Sequence, residues 1–151
     1  MQSPEFRQGF AKLGERGLTF DTFIYSHQLP DLCALAEAIP QTNVVVDHMA
    51  TPIGMMGPFG RIGTSSSERS EIRVTWQQGL LRLAQSEQVH VKISGLFMHV
   101  LGWEHHTSDV AKVVEMIGED EEFVLDTFGE HRCMFASNFP PDRVLMDFQT
   151  L

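Results

Sequence analysis

His48 closes the run Asn43-Val44-Val45-Val46-Asp47-His48. A histidine at the end of an apolar strand can take a proton or bind a metal near neutral pH. The competing reading is a capping histidine hydrogen-bonded to a neighbouring loop. Asp47 falls on the opposite face from His48 by strand alternation and reads as structural, a cap toward the helix layer. Lys92, in Val89-His90-Val91-Lys92-Ile93-Ser94, stands mid-strand among apolar residues. Buried there, it needs a carboxylate partner or a bound anion; the alternative is an exposed edge-strand lysine. His27, in Tyr25-Ser26-His27-Gln28, could contact a substrate or simply precede the helix opened by Pro30. Ser137-Asn138 follows a further apolar run. His105 and His106, near Trp103, could reach a substrate, though adjacent loop histidines are ordinarily solvated. His90, His99 and His131 read as structural.

These side chains act together only if the fold brings their strand ends to one rim. Ser3-Pro4-Glu5 is a helix start, and Phe6, Phe10 and Leu13 share one face up to the stop at Gly17. A strand follows over 18–25, then a helix from Pro30 to Pro40 with Leu32, Leu35, Ala36 and Ile39 on one side. The 43–48 strand lacks polar alternation and is expected to be covered on both faces. A Gly/Pro/Ser-rich loop over 49–67 leads to a helix over 68–86 and a strand over 89–94. A second loop spans 95–107. The next helix is capped by Ser108, with a break expected near Gly118, and stops at Gly129. The last strand covers 132–137, and 143–151 barely begins a helix.

The resulting order, α-β-α-β-α-β-α-β and a stub, means parallel strands with crossover helices. Two folds fit: a small open doubly wound sheet, or part of a (β/α)8 barrel, which needs eight strands and typically ~250 residues. In either, the reactive rim lies at the carboxyl ends of the strands, where all four strands carry polar groups.

Composition narrows the partners. With 20 acidic against 11 basic side chains, a formal charge of −9, the chain is ill-suited to nucleic acid or anionic membranes. No apolar run reaches the ~18 residues of a membrane span, and the first residues lack a signal-peptide core. Cys33 and Cys133 lie far apart in apolar stretches and read as reduced, buried thiols, which places the chain in the cytoplasm. There is no phosphate loop, no GxSxG and no HExxH.

Four stretches resemble the amidohydrolase-related family often called amidohydrolase 2. They are Phe23-Ile24-Tyr25-Ser26-His27-Gln28-Leu29-Pro30-Asp31-Leu32, Val44-Val45-Val46-Asp47-His48-Met49 with Thr51-Pro52-Ile53-Gly54, Val91-Lys92-Ile93-Ser94-Gly95-Leu96, and Arg132-Cys133-Met134-Phe135-Ala136-Ser137-Asn138-Phe139-Pro140. They keep their order from about Phe6 to Val144. The resemblance implies an α/β fold: an incomplete (β/α)8 TIM-type barrel over 1–151, about four C-terminal β/α units, with the N-terminal strands and last helix absent. It implies a hydrolase of a small lactone, ester or amide. Some members hold a divalent metal such as zinc, through an HxH pair, a middle-strand histidine and a final aspartate; others work without one.

Residue by residue, His48 matches the middle-strand histidine, as catalytic group or metal ligand. Asn138 takes the place of the aspartate in the catalytic set, and His27 and Lys92 match substrate-side positions. Asp142 is a substitute acid. No pair of the seven histidines has HxH spacing, so a metal is expected in the full-length family and none in this chain. The expected partners are a small-molecule substrate and, through open barrel edges, further copies of the chain. The alternatives are a catalytically inactive truncated barrel and, unrelated to the family, a small α/β binding module.

Overall fold

Ser3 Oγ accepts the backbone N–H of Phe6 and Pro4 sits in the first turn, so α1 (Pro4–Glu15) starts where its sequence marks it. We describe the fold from a computed structural model, which covers residues 1–103 and 109–150. Three more helices follow: α2 (Leu29–Ala38), α3 (Ser66–Leu83) and α4 (Val110–Phe128). They alternate with β1 (Thr19–Phe23), β2 (Asn43–Asp47), β3 (Val89–Ile93) and β4 (Cys133–Phe135).

The strands make one parallel sheet in the order β1-β2-β3-β4, with Thr22 beside Val46, Val46 beside Val91, and Val91 beside Cys133. An order that never reverses has no switch point of the doubly wound kind. Right-handed crossovers then put every helix on the same face, as in a barrel wall. On that face Val44, Val46, Val89 and Val91 are fully buried together with Leu32, Leu35, Leu80 and Leu83. Each such side chain contributes roughly 1.5–3 kcal/mol of burial.

The other face is open. Thr19, Asp21, Phe23, Asn43 and Met134 are exposed, and Val45, Asp47, His90 and Lys92 are half-buried. The expectation that β2 is covered on both faces therefore fails. The strand's apolar residues meet the helices on one face only, and the four strands leave the opposite face of the sheet uncovered by helices among the described residues. Among the described residues both edges, β1 and β4, pair on one side alone.

Two helix details differ from expectation. α4 runs unbroken through Gly118, where an added Cβ would touch only Val114, and Val113, Ile117, Val124 and Phe128 hold the helix to the core. Its cap is Asp109, which accepts the N–H groups of Ala111 and Lys112; Ser108 lies outside the described residues. Cys33 and Cys133 are free thiols, the first buried and the second half-buried. No helix among the described residues is long and apolar enough to cross a membrane.

Candidate active site

Strand alternation alone would send His48 to the helix side of the sheet, since Asp47 is on the open face. The backbone prevents this. His48, Met49, Ala50 and Thr51 have consecutive positive φ values of 56°, 51°, 59° and 27°. Each non-glycine residue held this way costs on the order of 1–3 kcal/mol, and β-branched Thr51 is an outlier. The turn swings the imidazole back to the open face. There its Nδ1 lies 2.8 Å from Ser94 Oγ and its ring packs edge-on to Phe23 at 5.4 Å. His48 and Asp47 thus share one face, contrary to the sequence reading.

Gly95 makes room for this ring. Its φ is +64°, and a Cβ there would sit 2.6 Å from His48 Cγ. Half-buried His48 is held below the ordinary imidazole pKa, first by desolvation; Asp47 opposes that shift, Lys92 adds to it, and Asp21 opposes it. The outcome is a neutral imidazole at pH 7 that sits among charges.

Lys92 has the carboxylate partners its burial demanded. Its Nζ lies 2.7 Å from Asp21 Oδ2 and 2.7 Å from Asp47 Oδ1. Asp21 first, then Asp47, raises the lysine pKa and keeps the ammonium charged. Asp47 is therefore an ion-pair partner on the open face and not a cap for the helix layer. The triad carries a net single negative charge beside His48.

Asn138, at the end of β4, has φ 48° and donates through Nδ2 to Asp142 Oδ1 at 2.7 Å. Asp142 is completely buried. Desolvation pushes its carboxyl up to about 6, while the Asn138 amide and the Phe97 backbone N–H pull it back. It orients Asn138 and is not presented at the rim as an acid. His27 is exposed in a short 3₁₀ turn, Ser26–Gln28, stacked on Tyr25 at 5.9 Å. It lines a cleft of about 480 Å³ with Ile53, Ile62, Glu71 and Thr75. The structure groups His48, Lys92 and their partners on the open face, and it sets His27 beside that separate cleft. His105 and His106 lie outside the described residues. Burial pushes the Cys33 thiol up to about 11, too high for a nucleophile at neutral pH.

The two long loops that frame the site are zipped together. Gly54 N–H donates to Val100 O at 3.0 Å and Met56 N–H to Leu101 O at 2.9 Å. Gly57 and Gly102 meet so closely that a Cβ on either would overlap the other's carbonyl.

Sequence reasoning missed Asp21 and the positioning roles of Ser94 and Gly95. Alternation does put Asp21 and Lys92 on faces that a register would match, but no register is printed in a sequence.

A metal does not fit these side chains by themselves. His48 offers one nitrogen donor, Asp21 and Asp47 are engaged with Lys92, and no group of three His, Cys, Asp or Glu among the described residues could hold an ion.

A family model described as amidohydrolase matches residues 2–149. The chain belongs to the amidohydrolase family. Its family relatives include an uncharacterized protein, y4mH, of Sinorhizobium fredii, 33% identical over 99% of this chain and 43% of that protein. A protein named L-fucono-1,5-lactonase from Burkholderia multivorans is 28% identical over 90% of this chain and 42% of its own length. Its namesake from Burkholderia ambifaria is 30% identical over 87% of this chain and 38% of its own. Among solved amidohydrolases, one from Burkholderia multivorans with bound zinc superposes with TM-score 0.71 at 24% identity, over 96% of this chain and 45% of that one. A second crystal form, with bound HEPES, gives 0.70 at 26% identity. These neighbours are TIM barrels. This amidohydrolase chain thus has the fold of a barrel segment and spans under half the length of the relatives it matches. The small open-sheet binding module gives way to it.

Proposed function

We propose that this chain carries part of the active site of a lactone hydrolase, with His48 as general base. The observation that carries the reading is the His48 imidazole itself: desolvated, kept neutral, fixed through Nδ1 to Ser94 and turned onto the open face by a strained backbone. The two relatives named L-fucono-1,5-lactonase support lactones over amides. With Nδ1–H donating to Ser94 Oγ, Nε2 keeps its lone pair for a proton of the attacking water. Water oxygen bonds to the lactone carbonyl carbon, the ring C–O bond breaks, and the departing alkoxide takes the proton back from imidazolium, leaving a hydroxy acid. Asp47 and Asp21 favour that transient cation. Lys92, pinned by the same carboxylates, is the substrate contact on β3, and Asn138, oriented by Asp142, contacts the substrate from β4. His27 takes part only through its own cleft.

The test is hydrolysis of six-membered sugar lactones by the purified chain, followed by acid release above the spontaneous rate. We expect saturable turnover, with kcat/KM level from pH 7 to 8 and falling only below the ordinary imidazole pKa of ~6.5. A folded chain with no turnover would overturn the proposal and select the catalytically inactive reading.

Self-association belongs to the same proposal. Leu18 and Phe23 at the β1 edge are 50% and 49% exposed, and Met134 and Phe135 at the β4 edge 37% and 75%. Unpaired parallel edges with apolar flanks pair with other strands. Sedimentation of the chain at micromolar concentration is expected to give a dimer or larger species. A stable monomer that unfolds cooperatively would count against it.

A further inference from the structure

The turn that aims His48 is strained and buried, so something must hold it. Met49 is 1% exposed, and Ala50 and Thr51 are fully buried. Inside the turn, Thr51 N–H donates to His48 O at 2.9 Å, and Ser26 N–H reaches Thr51 O at 3.3 Å. Neither bond explains why the chain stays left-handed through Met49 and Ala50. Left to itself, it would relax toward the extended conformation of β2 and carry the ring to the helix side.

Trp76 supplies the missing restraint. It lies within α3, is fully buried, and heads the large side chains of the core. Its indole Nε1–H donates to Met49 O at 2.6 Å. On its other side the ring lies against Phe123 of α4, with centroids 5.7 Å apart. The donor is therefore anchored by two helices, and the carbonyl it grips belongs to the residue right after His48. A tryptophan serving only as core filler could point its N–H at any nearby carbonyl. This one meets the strained turn at the point where the backbone departs from the strand.

We propose that Trp76 is a positioning residue for His48: its indole N–H on the Met49 carbonyl holds the left-handed turn that carries the imidazole from the helix side of the sheet to the open face. The turn's geometry stands by itself; the catalytic meaning rests on the reading of His48 as the base.

The test compares Trp76→Phe, which keeps an aromatic ring and removes the donor, with Leu80→Val on the same buried face of α3. Amide exchange at Thr51 reports the turn, and kcat against KM for lactone hydrolysis reports the base. We expect Trp76→Phe to speed Thr51 exchange about tenfold beyond any change at Val46, because a buried carbonyl loses its partner. We expect kcat to drop about tenfold or more with KM changed by less than about twofold. Leu80→Val should lower global stability without either effect. Thr51 exchange that tracks global stability alike in both variants would overturn the proposal, and so would an equal loss of kcat in both. If Trp76→Phe fails to fold, 3-benzothienylalanine at position 76 keeps the ring area and removes only the N–H, with the same expectations. Absent turnover in the unaltered chain would count against the hydrolase reading alone, since exchange at Thr51 still decides whether the brace exists.

Discussion

Replacing His48 with glutamine is expected to lower kcat/KM for lactone hydrolysis about 100-fold or more, with the fold intact. Proton transfer by a placed side chain contributes typically ~10²–10⁴. Glutamine is close to imidazole in reach, its amide overlying the Nε2 position, so it fills the ring's space while giving up the Nδ1 contact to Ser94 Oγ, now 2.8 Å. It cannot accept a proton at any working pH. The variant should melt near the parent temperature, because the open face around His48 is only part-buried and the turn of 48–51 is held from behind. It should also lose the inflection of the pH–rate profile below ~6.5. Activity within a few-fold of the parent would remove His48 from the mechanism and shift attention to the Lys92 triad.

The second large effect concerns stability. Asp142 is completely buried, and its carboxyl titrates near 6 in place of 3.8. A raised folded pKa means that the native state holds a proton which the unfolded chain has already released. Between about pH 4 and 6 the native state therefore binds more protons, and unfolding free energy falls as pH rises. The total is about 3 kcal/mol at ~1.36 kcal/mol per unit, complete a little above pH 6. His48 works in the opposite sense. Its lowered pKa gives stability that is present above the ordinary imidazole value and lost as pH falls through the folded one.

Asp142→Asn separates the two effects. An amide oxygen still receives the Asn138 Nδ2 hydrogen, but no charge is buried. The difference in unfolding free energy between variant and parent, from urea titrations at pH 4, 5, 6 and 7, should grow in favour of the variant by about 3 kcal/mol across that range. A difference that stays flat would show that Asp142 is already ionised in the fold at low pH.

The alternation of elements was open to reading because it depends on local residues: Ser3-Pro4 opens α1, Pro30 enters α2, and Gly129 ends α4. The demand of Lys92 for a carboxylate was equally visible, as a matter of burial cost. Which carboxylates answer it depends on strand register, and Asp21 lies far away in sequence. The placing of Asp47 opposite His48 was misread because left-handed conformation at His, Met, Ala and Thr leaves no mark in residue type; a glycine would have announced it. Gly118 misled in the opposite way. A glycine within a long helix costs only about 1 kcal/mol, and the packed face of α4 outweighs it. Asn138 came into view after the last strand, in the position of the family's aspartate, and Asp142 as the acid four residues further on. Sequence spacing could not tell that the acid would be shut in and the amide left at the rim.

The contact between Gly57 and Gly102 has a consequence for how such a site diversifies. Two loops that touch backbone to backbone, with two further hydrogen bonds beside the contact, cannot change length or side-chain size independently. An insertion in one would have to be matched by a compensating change in the other, or the pair would come apart. The rim is therefore a linked unit, and even the tip of the first loop is tied into it, with the Phe59 ring packed edge-on against His99 of the facing loop at 5.7 Å.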